Sequence, residues 1–148
     1  MENLSHTLKQ QATALHACHK GLREWPSTPQ GLIERWKRHI DFAIDHDFPS
    51  TGFIRDHFDP DLLHRNLIYL DEHITLDHAP GGTYVILGQC TGTLIFKEWT
   101  AATIYLRHAS RITIIAQDHA KVFVQLHDEA RAEVCEMGNA VVNVYGSV

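Results

Sequence analysis

Proline disappears from this chain after residue 80. Its five prolines are Pro26, Pro29, Pro49, Pro60 and Pro80. A residue without an amide donor is kept out of central strands, so the chain beyond Pro80 can form uninterrupted ladders. Cysteine is scarce and odd in number: Cys18, Cys90 and Cys135 are widely scattered, which gives neither a disulfide framework nor a zinc spacing. No apolar run approaches the roughly 20 residues of a membrane span. The N-terminus lacks the basic-then-apolar pattern of a secretion signal, so the expected location is the cytoplasm. Positive charge is also in short supply. Thirteen Lys and Arg face eighteen Asp and Glu, for a net charge of −5. Eight basic against nine acidic residues give −1 over residues 1–70; five against nine give −4 over residues 71–148. Such a balance excludes generic binding to long nucleic acids, which requires a basic face. Asn-Gly and Asp-Gly hairpin turns are missing, and so are a nucleophile elbow, a P-loop, a His-Glu-x-x-His run and a dinucleotide fingerprint.

What is present is a repeat. Aligning Glu72, Gly82, Gly92, Ala102, Ser110, Ala120, Ala130 and Ala140 gives seven steps, six of ten residues and one of eight. Two positions later stand Ile74, Tyr84, Leu94, Ile104, Ile112, Val122, Ala132 and Val142. Two later again stand Leu76, Ile86, Phe96, Leu106, Ile114, Val124, Val134 and Val144. Apolar residues alternating with mostly polar ones are the period-2 signature of a half-buried strand. Recurring at a fixed interval, they indicate a repeat architecture. Ten residues hardly enclose a core, because strand-bearing layers pack about 10 Å apart. Twenty residues make two walls. The expected fold is therefore α+β: a helical lead-in over residues 1–70, then a short parallel β-solenoid of decapeptide half-coils over residues 71–148. An antiparallel meander or sandwich is the alternative, since it gives the same in/out pattern along each strand.

The lead-in reads as helices with recognisable ends. Residues 4–25 are expected to form one amphipathic helix, with Leu8, Leu15 and Leu22 seven apart and Leu4, Gln11, Cys18 and Trp25 completing the seam. That seam either covers the solenoid or associates with itself. Thr28 and Pro29 open the next helix, whose apolar face runs from Leu32 to Ile44. Ser50 or Thr51 starts a third, and Asp59-Pro60-Asp61 a last turn.

The run Ile40-Asp41-Phe42, then His46-Asp47-Phe48-Pro49-Ser50, then His57-Phe58-Asp59-Pro60-Asp61-Leu62-Leu63 resembles uncharacterised repeat-containing proteins of Bacteroides-type gut bacteria and their prophages. In those proteins a helical lead-in precedes repeats similar to Gly138-Asn139-Ala140-x-Val142-x-Val144-Tyr145 here. The resemblance implies a repeat fold and a phage or mobile-element setting in a bacterial host. It carries over no activity.

Candidate functional residues come from the outward columns. On one sheet the alignment stacks Val85, Tyr105, Phe123 and Asn143, beside Thr83, Thr103, Lys121 and Val141. That aromatic stripe is open to three readings: burial under the helices, a subunit interface, or a ligand-stacking surface. On the other sheet Arg111 stacks over Arg131, beside Thr113 and Glu133. Tyr105, Arg111, Lys121, Phe123 and Arg131 are the expected ligand-binding residues. Twelve histidines are many for this length. His108 and His127, expected one coil apart on one sheet, form a possible polar site with Asp128. His16 and His19 are three apart on the first helix but lack a helpful third ligand, so no metal and no cofactor are expected. The function expected is a non-enzymatic, homo-oligomeric binding protein that sequesters a small anionic, nucleotide-like signalling ligand. The alternatives are a structural assembly or adhesion module and, third, a hydrolase using His108 and His127.

Overall fold

The computed structural model describes residues 2–15, 17, 22–23 and 25–146, and the chain divides into two compact units, 1–62 and 63–148. The protein is α+β, with five helices preceding nine strands among the described residues.

In the first unit, helix α1 spans Glu2–Ala14, shorter than the sequence suggests. It closes as the Leu15 amide donates to the Gln11 and Ala12 carbonyls and the Ala17 amide to Ala12, at 3.0–3.2 Å. Its buried side chains are Leu4, Leu8 and Ala12, a stripe spaced by four rather than a seam spaced by seven. Trp25 lies outside this helix and donates through Nε1 to the Ser5 carbonyl at 2.9 Å. Cys18, His16 and His19 fall outside the described residues. Helix α2, Pro29–Arg38, begins as expected: the Thr28 hydroxyl accepts from the Gly31 amide at 3.1 Å, with proline at the first position. The apolar face expected to run on to Ile44 is divided, because His39 leaves helical geometry and α3 restarts over Ile40–His46. Asp47 then takes a left-handed conformation, as a helix end favours. Ser50 caps α4, Thr51–His57, by accepting from the Phe53 amide at 3.2 Å. Asp59 accepts from the Asp61 amide at 3.2 Å where α5, Pro60–Arg65, begins. Trp36 and Phe58 meet with ring centroids 6.5 Å apart.

In the second unit the strands form a parallel β-solenoid of about four coils. The first sheet is β1 (Ile68–Leu70), β3 (Gly82–Leu87), β5 (Ala101–Leu106), β7 (Lys121–Leu126) and β9 (Val141–Tyr145), in that order. The second is β2 (His73–Leu76), β4 (Thr91–Phe96), β6 (Arg111–Ala116) and β8 (Arg131–Glu136). All pairings are parallel, so the antiparallel alternative does not apply. Core columns run along the coils, as in Leu94, Ile114 and Val134, or Ile104, Val124 and Val144. Each aliphatic side chain buried in such a column contributes roughly 1.5–3 kcal/mol. Beyond the first coils the sheets keep a strict ten-residue half-coil, as Ala101↔Lys121↔Val141 and Thr91↔Arg111↔Arg131 show. The eight-residue step from Ala102 to Ser110 does not exist in the fold. It is a two-residue slip, which a period of two conceals because inward residues stay inward.

The corners explain the regularity. Gly88, Glu98, His108, Asp118, Asp128 and Gly138, ten apart, all have positive φ. Two residues on stands a small residue, and Cys90, Ser110, Ala120, Ala130 and Ala140 are buried there. Main-chain bonds continue round each bend: the amides of Ala109, His119, Glu129 and Asn139 donate to the carbonyls of Gly88, Glu98, His108 and Asp118 at 2.8–3.0 Å. Gly92 stands second in β4 with φ of 134°, where a Cβ would sit 1.8 Å from the Ile74 carbonyl oxygen. Only glycine fits there.

Candidate functional site

The outward face of the second sheet carries the ladder His73, Thr91, Arg111, Arg131, one residue from each strand. All four are exposed. Beside it runs a second ladder, Thr75, Thr93, Thr113 and Glu133. The Arg111 over Arg131 pair and its Thr113/Glu133 neighbours therefore stand as the sequence placed them. Parallel strands are about 4.8 Å apart, so two guanidinium stems project from neighbouring rungs into one open concavity lined also by Gln89, Thr91, Asp128 and Glu129. Neither guanidinium has a hydrogen-bond or ion-pair partner among the described residues. Thr91 is joined to His73, Oγ1 to Nδ1 at 2.9 Å. Two like charges so close repel one another, and an anion held between them relieves that repulsion through charge-assisted hydrogen bonds. This arrangement can hold an anion.

On the first sheet the expected aromatic column does not form. Tyr105 stands between Val85 and Gln125, while Phe123 stands between Thr103 and Asn143. Lys121 pairs with Ala101 and Val141, and its Nζ lies 3.4 Å from the Asn139 carbonyl. The slip of two residues is the cause: it offsets Tyr105 and Phe123 along their strands by two rungs, about 8 Å between Cα atoms. Val85 is fully buried, Tyr105 half-buried and Phe123 exposed, so they do not present one continuous stripe. Tyr105, Lys121 and Phe123 also belong to the opposite wall from Arg111 and Arg131. Outward side chains of two facing walls point away from each other. The five residues therefore cannot surround one small ligand within a single protomer.

The polar trio is likewise reassigned. Leu106 pairs with Leu126, which puts His108 over Asp128 rather than over His127. His108 Nδ1 accepts from the Gly88 amide at 2.9 Å, and Asp128 Oδ2 accepts from the His108 amide at 3.0 Å. The other corner repeats the device, with Asp118 Oδ2 accepting from the Glu98 amide at 2.8 Å. At these bends the left-handed residue's amide points at the next coil, whose side chain satisfies it. His127 turns to Gln125 Oε1 at 3.2 Å. His108 and Asp128 are thus bonded as corner ties.

Sequence reasoning missed two features. Trp99 is 79% exposed and stacks on His119, with centroids 4.0 Å apart and planes 9° from parallel. The signal was available, since the two are twenty residues apart and twenty residues make one coil. His73 joins the arginine ladder, but the eighteen residues from it to Thr91 break the period. In the helical unit, Leu8, Ala12, Trp25, Leu32, Trp36 and Phe42 line an apolar hollow of about 70 Å³, well below the roughly 300–1,000 Å³ of ordinary ligand pockets.

Burial pushes the Cys90 thiol up from its ordinary pKa, and burial followed by the charge of Tyr69 pushes the Tyr84 hydroxyl up. Tyr84 donates that proton to the Pro80 carbonyl at 2.6 Å. Both groups are held neutral, so neither is a nucleophile in waiting. Among the described residues no three histidine, cysteine or carboxylate side chains gather at metal-binding distances, and no helix is long and apolar enough to cross a membrane. Comparison with protein-family models, with curated proteins and with solved structures found no match to this chain.

Proposed function

We propose that this protein is a binding protein whose solenoid holds a small ligand bearing more than one anionic group, nucleotide-like phosphate esters being the leading class. The observation that carries the reading is the in-register pair Arg111 and Arg131, exposed and with guanidinium groups that have no partner among the described residues. The threonine hydroxyls of the next ladder supply neutral donors beside the charges. Binding is favoured over turnover because, of the polar trio His108, His127 and Asp128, His108 and Asp128 accept from backbone amides at the corners and His127 is bonded to Gln125. Sequestering a signalling nucleotide, in the mobile-element setting suggested by the sequence resemblance, is the role we attach to that binding.

Charge-assisted hydrogen bonds contribute about 1.5–3 kcal/mol each. Arg111→Ala and Arg131→Ala should therefore each weaken binding by roughly 10- to 150-fold, and added salt should weaken it further. Tyr105→Ala and Lys121→Ala, on the opposite wall, should leave it unchanged. Calorimetry against mono-, di- and cyclic nucleotides measures this. Absence of heat with every member overturns the reading.

A second reading, an assembly module that presents surface to copies of itself, is favoured by Phe123, Val141 and Tyr145. These outward residues of β7 and β9 are 44%, 37% and 54% exposed. Sedimentation at micromolar and higher concentrations decides it: a monomer throughout removes the homo-oligomer.

A further inference from the structure

The corner that follows the second sheet carries a second surface, chemically unlike the arginine ladder. Coil upon coil, Trp99, His119 and Asn139 stand above one another, as the amide bonds from His119 to Glu98 and from Asn139 to Asp118 require. Glu98, Asp118 and Gly138 form the adjoining column, and these six residues line one open surface. His119 covers one face of the Trp99 indole, and at 79% exposure the remainder of the ring is open to solvent. A large apolar ring left in water is ordinarily a cost. Here a stacked neighbour also holds it flat, which limits the rotamer entropy that a ligand would otherwise have to remove.

Around the ring the hydrogen-bonding groups are mixed. Asp118 spends Oδ2 on the Glu98 amide and keeps Oδ1 as an acceptor. Glu98 supplies a carboxylate 3.9 Å from the His78 ring, and Asn139 supplies both an amide donor and a carbonyl acceptor. Acceptors and donors together suit hydroxyl groups, each of which both gives and takes a hydrogen bond. A quaternary ammonium uses neither, and asks for several aromatic walls rather than one. The two carboxylates repel phosphate and acidic sugars. A single flat platform with a mixed polar rim matches the apolar C–H face and the hydroxyl edge of a neutral sugar ring.

We propose that Trp99, backed by His119 and rimmed by Glu98, Asp118 and Asn139, is a binding site for a neutral saccharide, separate from the anion site. The test uses the full-length protein labelled with ¹⁵N, following the indole Nε1–H signal of Trp99 with those of Trp25 and Trp36 as internal references. Cellotetraose, maltotetraose and chitotetraose are titrated separately, with tetramethylammonium chloride as a fourth arm. A saturable shift confined to Trp99 with at least one oligosaccharide is the expected result. Trp99→Ala should weaken that binding, read by calorimetry, by about tenfold or more. Trp99→Phe should restore part of it, and Arg111→Ala should leave it unchanged. Because Trp99 is exposed, each variant should keep the backbone amide signals of the solenoid strands, those of Val122 and Val124 among them, and these establish that the solenoid is intact. No shift with any oligosaccharide at the limit of solubility overturns the proposal, as does a response to tetramethylammonium alone.

Discussion

Val124 and Val144 are the same residue in the same column of the core, paired across neighbouring strands. Val124 is fully buried, whereas Val144 is 44% exposed. The second sheet repeats the contrast: Ile114 is fully buried, and Val134 above it is 39% exposed. The pattern of inward and outward residues is identical in the two coils, so the pattern does not decide burial. What decides it is a coil on each side. In a stacked repeat each unit is stabilised by its neighbours, and the last described coil has a neighbour on one side only. A decapeptide therefore specifies which way its side chains point, while its place in the stack specifies how much they contribute.

The sharpest way to break this comparison is a charge in each position. Val124→Asp should unfold the solenoid, because a buried unpaired carboxylate costs several kcal/mol, against the roughly 5–15 kcal/mol that such a domain has in total. Val144→Asp should cost less than about 1 kcal/mol, as an exposed substitution does. Equal losses in a urea series would show that the last coil is as dry as the third.

A smaller effect sharpens the comparison at the corners. Asp118 ties its coil to the one before by accepting from the Glu98 amide. Asp118→Ala strands that amide and should cost about 1 kcal/mol. Gly138, one coil later at the same place, has no side chain with which to do the same for Asp118, so Gly138→Ala tests backbone strain alone. Thermal melts should separate the two.

The smallest expected effect is alkaline and belongs to the first coils. Burial raises the Cys90 thiol above its ordinary value of 9.0, which means that the unfolded chain gives up this proton before the folded one does. Stability from this group is complete below that value and is lost as pH rises through the folded one. The buried Tyr84 hydroxyl adds a loss of the same sign from its ordinary 10.0 upward. Stability should therefore fall above about pH 9. Cys90→Ala should delay the onset towards that of tyrosine, as equilibrium unfolding against pH will read.

Much of this was legible in the sequence. Thr28, Ser50 and Asp59 announce helix starts because the side chain that caps is also the one that signals. The alternation from Ile74 to Val144 announces strands, and its constant spacing announces a parallel stack. The register was legible only to within two residues, since period-2 patterning cannot tell a strand from itself shifted by two. That one ambiguity misplaced Phe123 against Tyr105, while His127, expected beside His108, stands one residue short of the position that Asp128 holds. Arg111 and Arg131 escaped because both lie after the slip and move together. The end of α1 at Ala14 was not legible either: neither glycine nor proline stands between Ala14 and Gly21. The accessibility of Trp99 is a property of the corner and not of its neighbours in sequence.

Glu136 occupies the column that holds Phe96 and Ala116 in the coils before it, and its carboxylate accepts from the Val142 amide at 2.9 Å. A ladder of identical rungs is a template: whatever strand pairs with its open edge becomes the next edge, and growth can continue into a filament. Glu136 interrupts that logic twice. It occupies an amide on β9 that an incoming strand would need, and it obliges any newcomer to bury a carboxylate in an apolar column. An inward-pointing charge of this kind is a known way of keeping an edge from polymerising. The side chain that ends this column thus makes the last described coil a poor seed.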